Sequence, residues 1–139
     1  MRKKVFLAAL AALMGGAAMA EDCVIEIGNR TYPFTLNDSE SARSLAEQFP
    51  LAVTFEDYGA TERIAYLKKR LSTKGAPASH TPERGDVAYY APWGNLAIFR
   101  KSFEDSPGLI LLGRIPEESL KAVVESGSQK AVLRRVGGK

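Results

Sequence analysis

The sequence predicts a mainly β protein in which eight short strands close into a β-barrel and two short helices cap its ends. Short apolar segments with a two-residue period recur along the chain, separated by segments rich in Gly, Pro, Asn and Asp. Helical periodicity interrupts them without the strand-helix-strand alternation that is typical of parallel sheets. The strands are therefore expected to be antiparallel, and closure is the common way to seal that many of them.

The first twenty residues predict a signal peptide rather than part of the barrel. Basic residues at 2–4 precede an apolar segment, and residues 18–20 have the Ala-x-Ala pattern that signal peptidase cleaves. The apolar segment is short and rich in Gly and Ala, which disfavours a permanent membrane helix. We expect cleavage after Ala20 and export of the domain 21–139 to the periplasm or beyond the cell, with no membrane contact afterwards.

The charge balance argues against a general affinity for nucleic acid. Loss of the basic residues at 2–4 lowers the basic count from 19 to 16, which equals the acidic count of 16. The basic isoelectric point of the full chain is therefore due to the leader, and the domain itself offers no excess positive charge to phosphates or anionic membranes.

Cys23 is the only cysteine, so the chain cannot form an intramolecular disulfide. It is expected either to point inwards from the first strand or to be an exposed thiol that pairs between chains. Alternation with Ile25 and Ile27 favours the first interpretation. A lipid anchor is disfavoured because Glu21 and Asp22 precede this cysteine, where lipoprotein signals place small residues.

The domain opens with a predicted hairpin. Residues 23–27 and 32–36 alternate strictly, and Gly28-Asn29 between them supplies the residues that a tight turn prefers. Pro33 cannot donate a backbone hydrogen bond, which suggests a sheet edge or a bulge.

An amphipathic helix is predicted within residues 37–50, with Asn37 or Asp38 as its N-cap, and we expect it to cover an end or a face of the sheet. Strands are predicted next at 51–56 and 64–66. The remaining elements are polar loops at 68–84 and 102–108, a hairpin at 87–99, a central strand covered on both faces at 109–115, a helix at 116–127 and a last strand at 130–136.

The hairpin GDVAYYAPWGNLAIFRKSF (85–103) and the following GLILLGRI (108–115) resemble the small prokaryotic cyclophilin-like fold proteins, a largely uncharacterised family. The resemblance extends over the whole domain, including a helix that ends in Phe49-Pro50-Leu51. Its most specific parts are the Pro-Trp-Gly-Asn tetrad and the closing Leu-Gly-Arg-Ile at 112–115. It implies a closed, eight-stranded cyclophilin-type barrel, in agreement with the strand pattern.

The resemblance does not extend to the active site of true cyclophilins. Those prolyl isomerases use an Arg in a Phe-His-Arg segment, a Gln beside a Gly-Gly-Asp loop and a Gly-Ser-Gln-Phe-Phe strand, and none of these strings occurs here. At the most similar place, 94–99, the chain reads Gly-Asn-Leu-Ala-Ile-Phe. A shared fold without the site does not establish the activity.

Candidates for other chemistry are few. His80 is the only histidine and is expected to be a solvated loop residue, so no catalytic triad and no metal site are predicted. The acidic pairs Glu56-Asp57 and Glu104-Asp105 are expected to be solvated, with unshifted pKa values. No glycine-rich turn opens a helix, and no cofactor is predicted.

Aromatic residues and arginines on adjoining strands predict a binding groove. One of Tyr89 and Tyr90 must point into the core, so the groove is expected to use the other one, with rings that supply apolar area and a guanidinium that orients a carbonyl or carboxylate. We expect a non-enzymatic module for a peptide or small ligand. The alternative is a divergent prolyl isomerase of the cell envelope in which one of the three arginines replaces the missing one. The candidate ligand-binding residues are Tyr90, Trp93, Phe99, Arg63, Arg100 and Arg114.

Overall fold

The computed structural model describes residues 19–124 and 127–137. Eight antiparallel strands form a closed barrel in the order β1-β10-β3-β4-β7-β6-β9-β2, and two helices accompany them, which confirms the predicted fold class. The strands are β1 (Met19–Ile27), β2 (Arg30–Asn37), β3 (Leu51–Tyr58), β4 (Glu62–Tyr66), β5 (Ser79–His80), β6 (Asp86–Tyr90), β7 (Asn95–Phe99), β8 (Ser106–Pro107), β9 (Leu109–Arg114) and β10 (Gln129–Arg135), and the helices are α1 (Glu40–Ala46) and α2 (Glu117–Val123).

The first hairpin and its proline lie as predicted. Ile27 pairs with Arg30 across a two-residue turn in which Gly28 has a φ of 63°, a value that favours glycine. Pro33 pairs with β1 but lies outside the short β2–β9 ladder, so its missing N–H leaves no gap there. Its carbonyl accepts a 2.7 Å hydrogen bond from the hydroxyl of Ser119, which fastens α2 to the barrel.

The N-cap of helix α1 lies one residue after Asp38 and two residues after Asn37, the two predicted caps. The N-cap is Ser39, whose hydroxyl oxygen accepts from the backbone N–H of Ala42 at 3.1 Å. Asn37 instead ends strand β2, and its side-chain amide donates to the carbonyl of Leu111 at 3.1 Å. The prediction of Asn37 or Asp38 was wrong because the strand continues through Asn37.

The barrel buries apolar side chains on two surfaces. Alternate residues point inwards to the main core, including Val87 and Tyr89 of β6, which confirms that one of the two adjacent tyrosines is a core residue. The other residues of β4, β7, β6 and β9 form a second cluster on the outer face of the barrel. This outer cluster consists of Ile64, Ala88, Ala97, Phe99 and Leu109, with Tyr90 packed against it. Strand β9 is thus covered on both faces, as its continuous apolar run predicts.

Two segments predicted to be loops contribute short strands. Ser79 of β5 pairs with Pro107 of β8, and His80 pairs with Ser106. The prediction missed both strands because two residues are too few to show a period. Their pairing joins the 68–84 segment to the segment that precedes β9.

Cys23 is buried in the main core, which confirms the inward orientation. Burial, together with the negative charge of Glu21, raises the pKa of its thiol to about 12. Because the thiolate is the reactive species, we expect Ellman's reagent at pH 8 to modify the native protein at least ~100-fold more slowly than the urea-unfolded chain. Equal rates in the two states would contradict the buried position.

The predicted signal peptide falls outside the described residues up to residue 18, so export and cleavage after Ala20 stay predictions. Neither helix in the described part of the chain has the length and apolar character needed to cross a membrane.

Candidate functional site

A cavity of about 280 Å³ opens over the outer cluster, and we call it the aromatic pocket. Phe99 of β7 and Leu109 of β9 lie at its base and are buried. Tyr58, Trp93 and Phe103 line it while keeping 48%, 47% and 47% of their surface exposed. About half of the surface of each of these aromatic residues is therefore open to solvent beside an apolar base.

Trp93 is the central ring of the aromatic pocket. Its ring centroid lies 5.4 Å from that of Tyr58 and 5.5 Å from that of Tyr90, with interplanar angles of 79° and 80°. These edge-to-face contacts suit the ring quadrupoles. Trp93 therefore contacts both tyrosines edge-to-face and is stacked on neither of them.

The backbone around Trp93 is held in a tight turn between β6 and β7. The carbonyl of Tyr90 accepts from the N–H groups of Trp93 at 3.2 Å and of Gly94 at 2.9 Å. Ala91 donates a 2.9 Å hydrogen bond to the carbonyl of Gly108, at the start of β9. This bond ties the tryptophan turn to the chain segment that forms the opposite wall.

Acidic side chains also line the aromatic pocket, at Glu62, Glu104 and Asp105. Glu62 pairs with Tyr58 on one side and Phe99 on the other, so all three side chains share the outer face. Burial raises the pKa of Glu62 above its ordinary value. The hydroxyl of Thr81 donates to Asp105 at 2.9 Å, which orders the other side of the rim.

The structure brings three of the six predicted site residues together: Tyr90, Trp93 and Phe99 all line the aromatic pocket. Sequence reasoning missed Glu62, Phe103 and the acidic pair beside it. The available signal was a phenylalanine followed by two acidic residues in the predicted 102–108 loop. Nothing in the sequence placed that loop against the tryptophan turn.

Arg63 points away from the aromatic pocket, into one end of the barrel. Its side chain is 0% exposed, and it donates to the carbonyls of Val123 at 2.8 Å and Gly127 at 2.7 Å. It also pairs with Asp57 at 3.2 Å. These contacts fasten the end of α2 to the barrel and leave the guanidinium inaccessible to a ligand.

The other two arginines are engaged in structural contacts as well. Arg100 donates to the carbonyls of Gly59 and Glu62, each at 3.0 Å, and pairs with Asp57 at 2.9 Å. It thereby supports the β3–β4 turn behind the aromatic pocket. Arg114 pairs with Asp86 on another part of the barrel. None of the three predicted arginines is among the described residues that line the aromatic pocket.

Asp57 is exposed, as expected for the Glu56-Asp57 pair, but the expectation of an unshifted pKa was wrong at this residue. Burial acts to raise the pKa of Asp57, but a hydrogen bond from the backbone N–H of Gly127 and the guanidinium groups of Arg100 and Arg63 outweigh it and lower the pKa below its usual value. The carboxylate is therefore the shared anion of two arginines rather than a free surface acid.

The prediction that His80 is a solvated loop residue was also wrong. Strand β5 places its Nε2 atom 2.8 Å from the buried carboxylate of Asp86, which also pairs with Arg114 and accepts from the backbone N–H of Glu83 at 3.0 Å. None of the hydroxyl or thiol groups in the described chain is hydrogen-bonded to the ring. This cluster fixes the β5–β8 pair, and it lacks the nucleophile of a triad.

A metal centre is also absent from the described residues, because no group of three or more His, Cys, Asp or Glu side chains is placed to hold an ion. The aromatic pocket itself offers rings and carboxylates. It can therefore bind by apolar contact and by attraction of positive charge.

Comparison with known proteins assigns the fold to a family. The family model described as "Cyclophilin-like family" matches residues 25–134. The solution structure of a hypothetical protein from Archaeoglobus fulgidus is similar at a TM-score of 0.63 and 19% identity, covering 88% of this chain and 100% of that one. No curated protein matches the sequence. Because the family model spans most of the barrel, the chain belongs to the cyclophilin-like family.

Proposed function

We propose that this protein is an exported binding module that takes a small ligand, or one side chain of a peptide, in the aromatic pocket and catalyses no reaction. The observation that carries this proposal is the set of half-exposed rings of Tyr58, Trp93 and Phe103 above the buried Phe99. Scattered surface rings are ordinary, whereas rings that converge on a cavity are typical of ligand sites. Export rests on the signal-peptide pattern of residues 1–20.

The lining of the aromatic pocket favours binding over catalysis. Neither histidine nor cysteine nor arginine is among its described lining residues. Prolyl isomerisation needs a donor to the proline nitrogen, and Arg63, Arg100 and Arg114 direct their guanidinium groups to carbonyls and carboxylates of the barrel. The isomerase alternative therefore has no observation in its favour.

A two-dimensional NMR titration with a library of neutral, anionic and cationic fragments tests the proposal. We expect shifts that cluster at Trp93 and Phe103, with the indole N–H of the only tryptophan as the most direct reporter. Trp93→Ala should weaken binding by about tenfold or more, since buried aromatic contacts of this kind are worth ~1–3 kcal/mol. Tyr66→Ala is the matched control, because Tyr66 is 58% exposed and lies outside the pocket.

Two outcomes would contradict this function. If no fragment shifts resonances around Trp93, the aromatic pocket is not a ligand site. If Xaa-Pro peptides added to the same sample show accelerated cis/trans exchange, the protein is an isomerase rather than a binding module.

A further inference from the structure

The negative charge of the aromatic pocket indicates which kind of ligand it binds. Glu62, Glu104 and Asp105 line it together with the rings, and no lysine or arginine is among the described residues that do so. None of these three carboxylates forms an ion pair within the described chain. Elsewhere on the barrel, Asp57, Asp86 and other acids do pair with basic side chains. The negative charge at this cavity is thus left without an internal counter-charge.

Glu62 shows the consequence most directly. It is partly buried between Tyr58 on β3 and Phe99 on β7, and its carboxylate forms no hydrogen bond or ion pair within the described chain, since Arg100 contacts its backbone carbonyl instead. Burial disfavours the ionised form of a carboxylate that has no positive charge near it, which is why burial raises the pKa of Glu62. A bound cation would supply the charge that the protein lacks there.

The rings favour the same kind of ligand. The face of an aromatic ring carries partial negative charge, and quaternary ammonium groups bind where several such faces converge. Tyr58, Tyr90 and Trp93 all line one cavity, and the Trp93 ring is nearly perpendicular to each of the two tyrosine rings. Weakly hydrated organic cations lose little on leaving water for such a site, whereas compact metal ions require oxygen ligands at short distance.

The size of the cavity limits the ligand further. At about 280 Å³ it lies just below the usual range for small-molecule sites, ~300–1,000 Å³. It can enclose one small head group rather than an extended peptide.

We propose that the aromatic pocket binds a quaternary ammonium group, with the rings of Tyr58, Tyr90 and Trp93 contacting the methyl groups and the carboxylates of Glu62, Glu104 and Asp105 balancing the charge. This assignment rests on the proposed function, since it names the ligand class of the same site.

Titration of the tryptophan fluorescence with choline, and with its neutral carbon analogue 3,3-dimethylbutan-1-ol, isolates the effect of the charge. The two molecules have nearly the same shape, and Trp93 is the only tryptophan, so the signal reports this site alone. We expect choline to bind about tenfold more tightly than the alcohol, because cation–π attraction and nearby carboxylates act on the charge only. A peptide with one trimethyllysine, titrated in parallel, distinguishes a free ligand from a protein side chain as the source.

Charge-removing variants provide the second readout. Glu62→Gln combined with Glu104→Gln should reduce the preference for choline over the alcohol severalfold, because it removes two of the three carboxylates that line the aromatic pocket. The control is Glu56→Gln, which removes the same kind of charge from an exposed position on strand β3 outside the aromatic pocket and should leave the preference intact. Near-UV circular dichroism verifies that each variant keeps the native packing.

Equal affinities for choline and the alcohol would overturn the cation assignment and leave the aromatic pocket as a site for neutral ligands. Absence of binding by both choline and the trimethyllysine peptide would also overturn it, and the fragment titration then decides separately whether the pocket binds anything. A preference that survives loss of Glu62 and Glu104 would overturn the role given to these carboxylates.

Discussion

We expect Gly113→Ala to destabilise the barrel by more than ~3 kcal/mol, because the new methyl group would collide with the backbone of the neighbouring strand. An ideal Cβ at Gly113 would lie 1.9 Å from the carbonyl oxygen of Thr35 and 2.9 Å from the Cα of Leu36. No side-chain rotation can relieve a contact with backbone atoms. The β2–β9 ladder that closes the barrel consists of Thr35 with Arg114 and Leu36 with Gly113, so the substitution acts on the whole closure.

Urea unfolding followed by circular dichroism measures this effect, and Gly75→Ala is its control. Gly75 has a φ of 77° and nothing within 4 Å of an added Cβ, so alanine there should cost only about 1 kcal/mol for the left-handed backbone. If the two variants lost similar amounts of unfolding free energy, the close approach of strand β2 would not be the reason that position 113 requires glycine.

The barrel could be predicted from the sequence because its strands alternate and its turns have recognisable residues. Gly28-Asn29 and the Pro-Trp-Gly-Asn tetrad both form the expected turns. The β5–β8 pair could not be predicted, since each strand has two residues and the partners are far apart in the chain. His80 was misplaced because its contact with Asp86 depends on how residues 80–86 turn, which no residue period in the sequence reveals.

The aromatic residues of the candidate site could be predicted from the sequence, but its acidic residues could not. Strand β4 shows why, because its outer residue Ile64 and its inner residue Ala65 are both buried. Where both faces of a strand are apolar, the two-residue period does not reveal which face is the inside. Arg63 was therefore assigned to a groove although it points into the barrel, and its outward neighbour Glu62 was overlooked.

Arg63→Met should destabilise the protein by about 3 kcal/mol or more, the usual cost of breaking a buried, hydrogen-bonded charge network. Methionine fills much of the volume but can donate no hydrogen bond to the carbonyls of Val123 and Gly127, which would remain unpaired at the end of α2. Asp57 would keep only Arg100 as its cation. The free energy of unfolding from urea titration measures the loss.

Two further substitutions, one at Arg63 and one at an exposed arginine, separate the effect of side-chain geometry from the effect of charge. Arg63→Lys keeps the positive charge, but its single ammonium nitrogen cannot reach acceptors that three separate guanidinium nitrogens contact now, so it should recover only part of the stability. Arg43→Met removes an exposed ion pair with Asp38 and should cost no more than ~1 kcal/mol. Since Arg63 lies outside the aromatic pocket, any folded Arg63 variant should bind choline as the native protein does. A folded Arg63→Lys protein that had lost ligand binding would show instead that this arginine acts on the site.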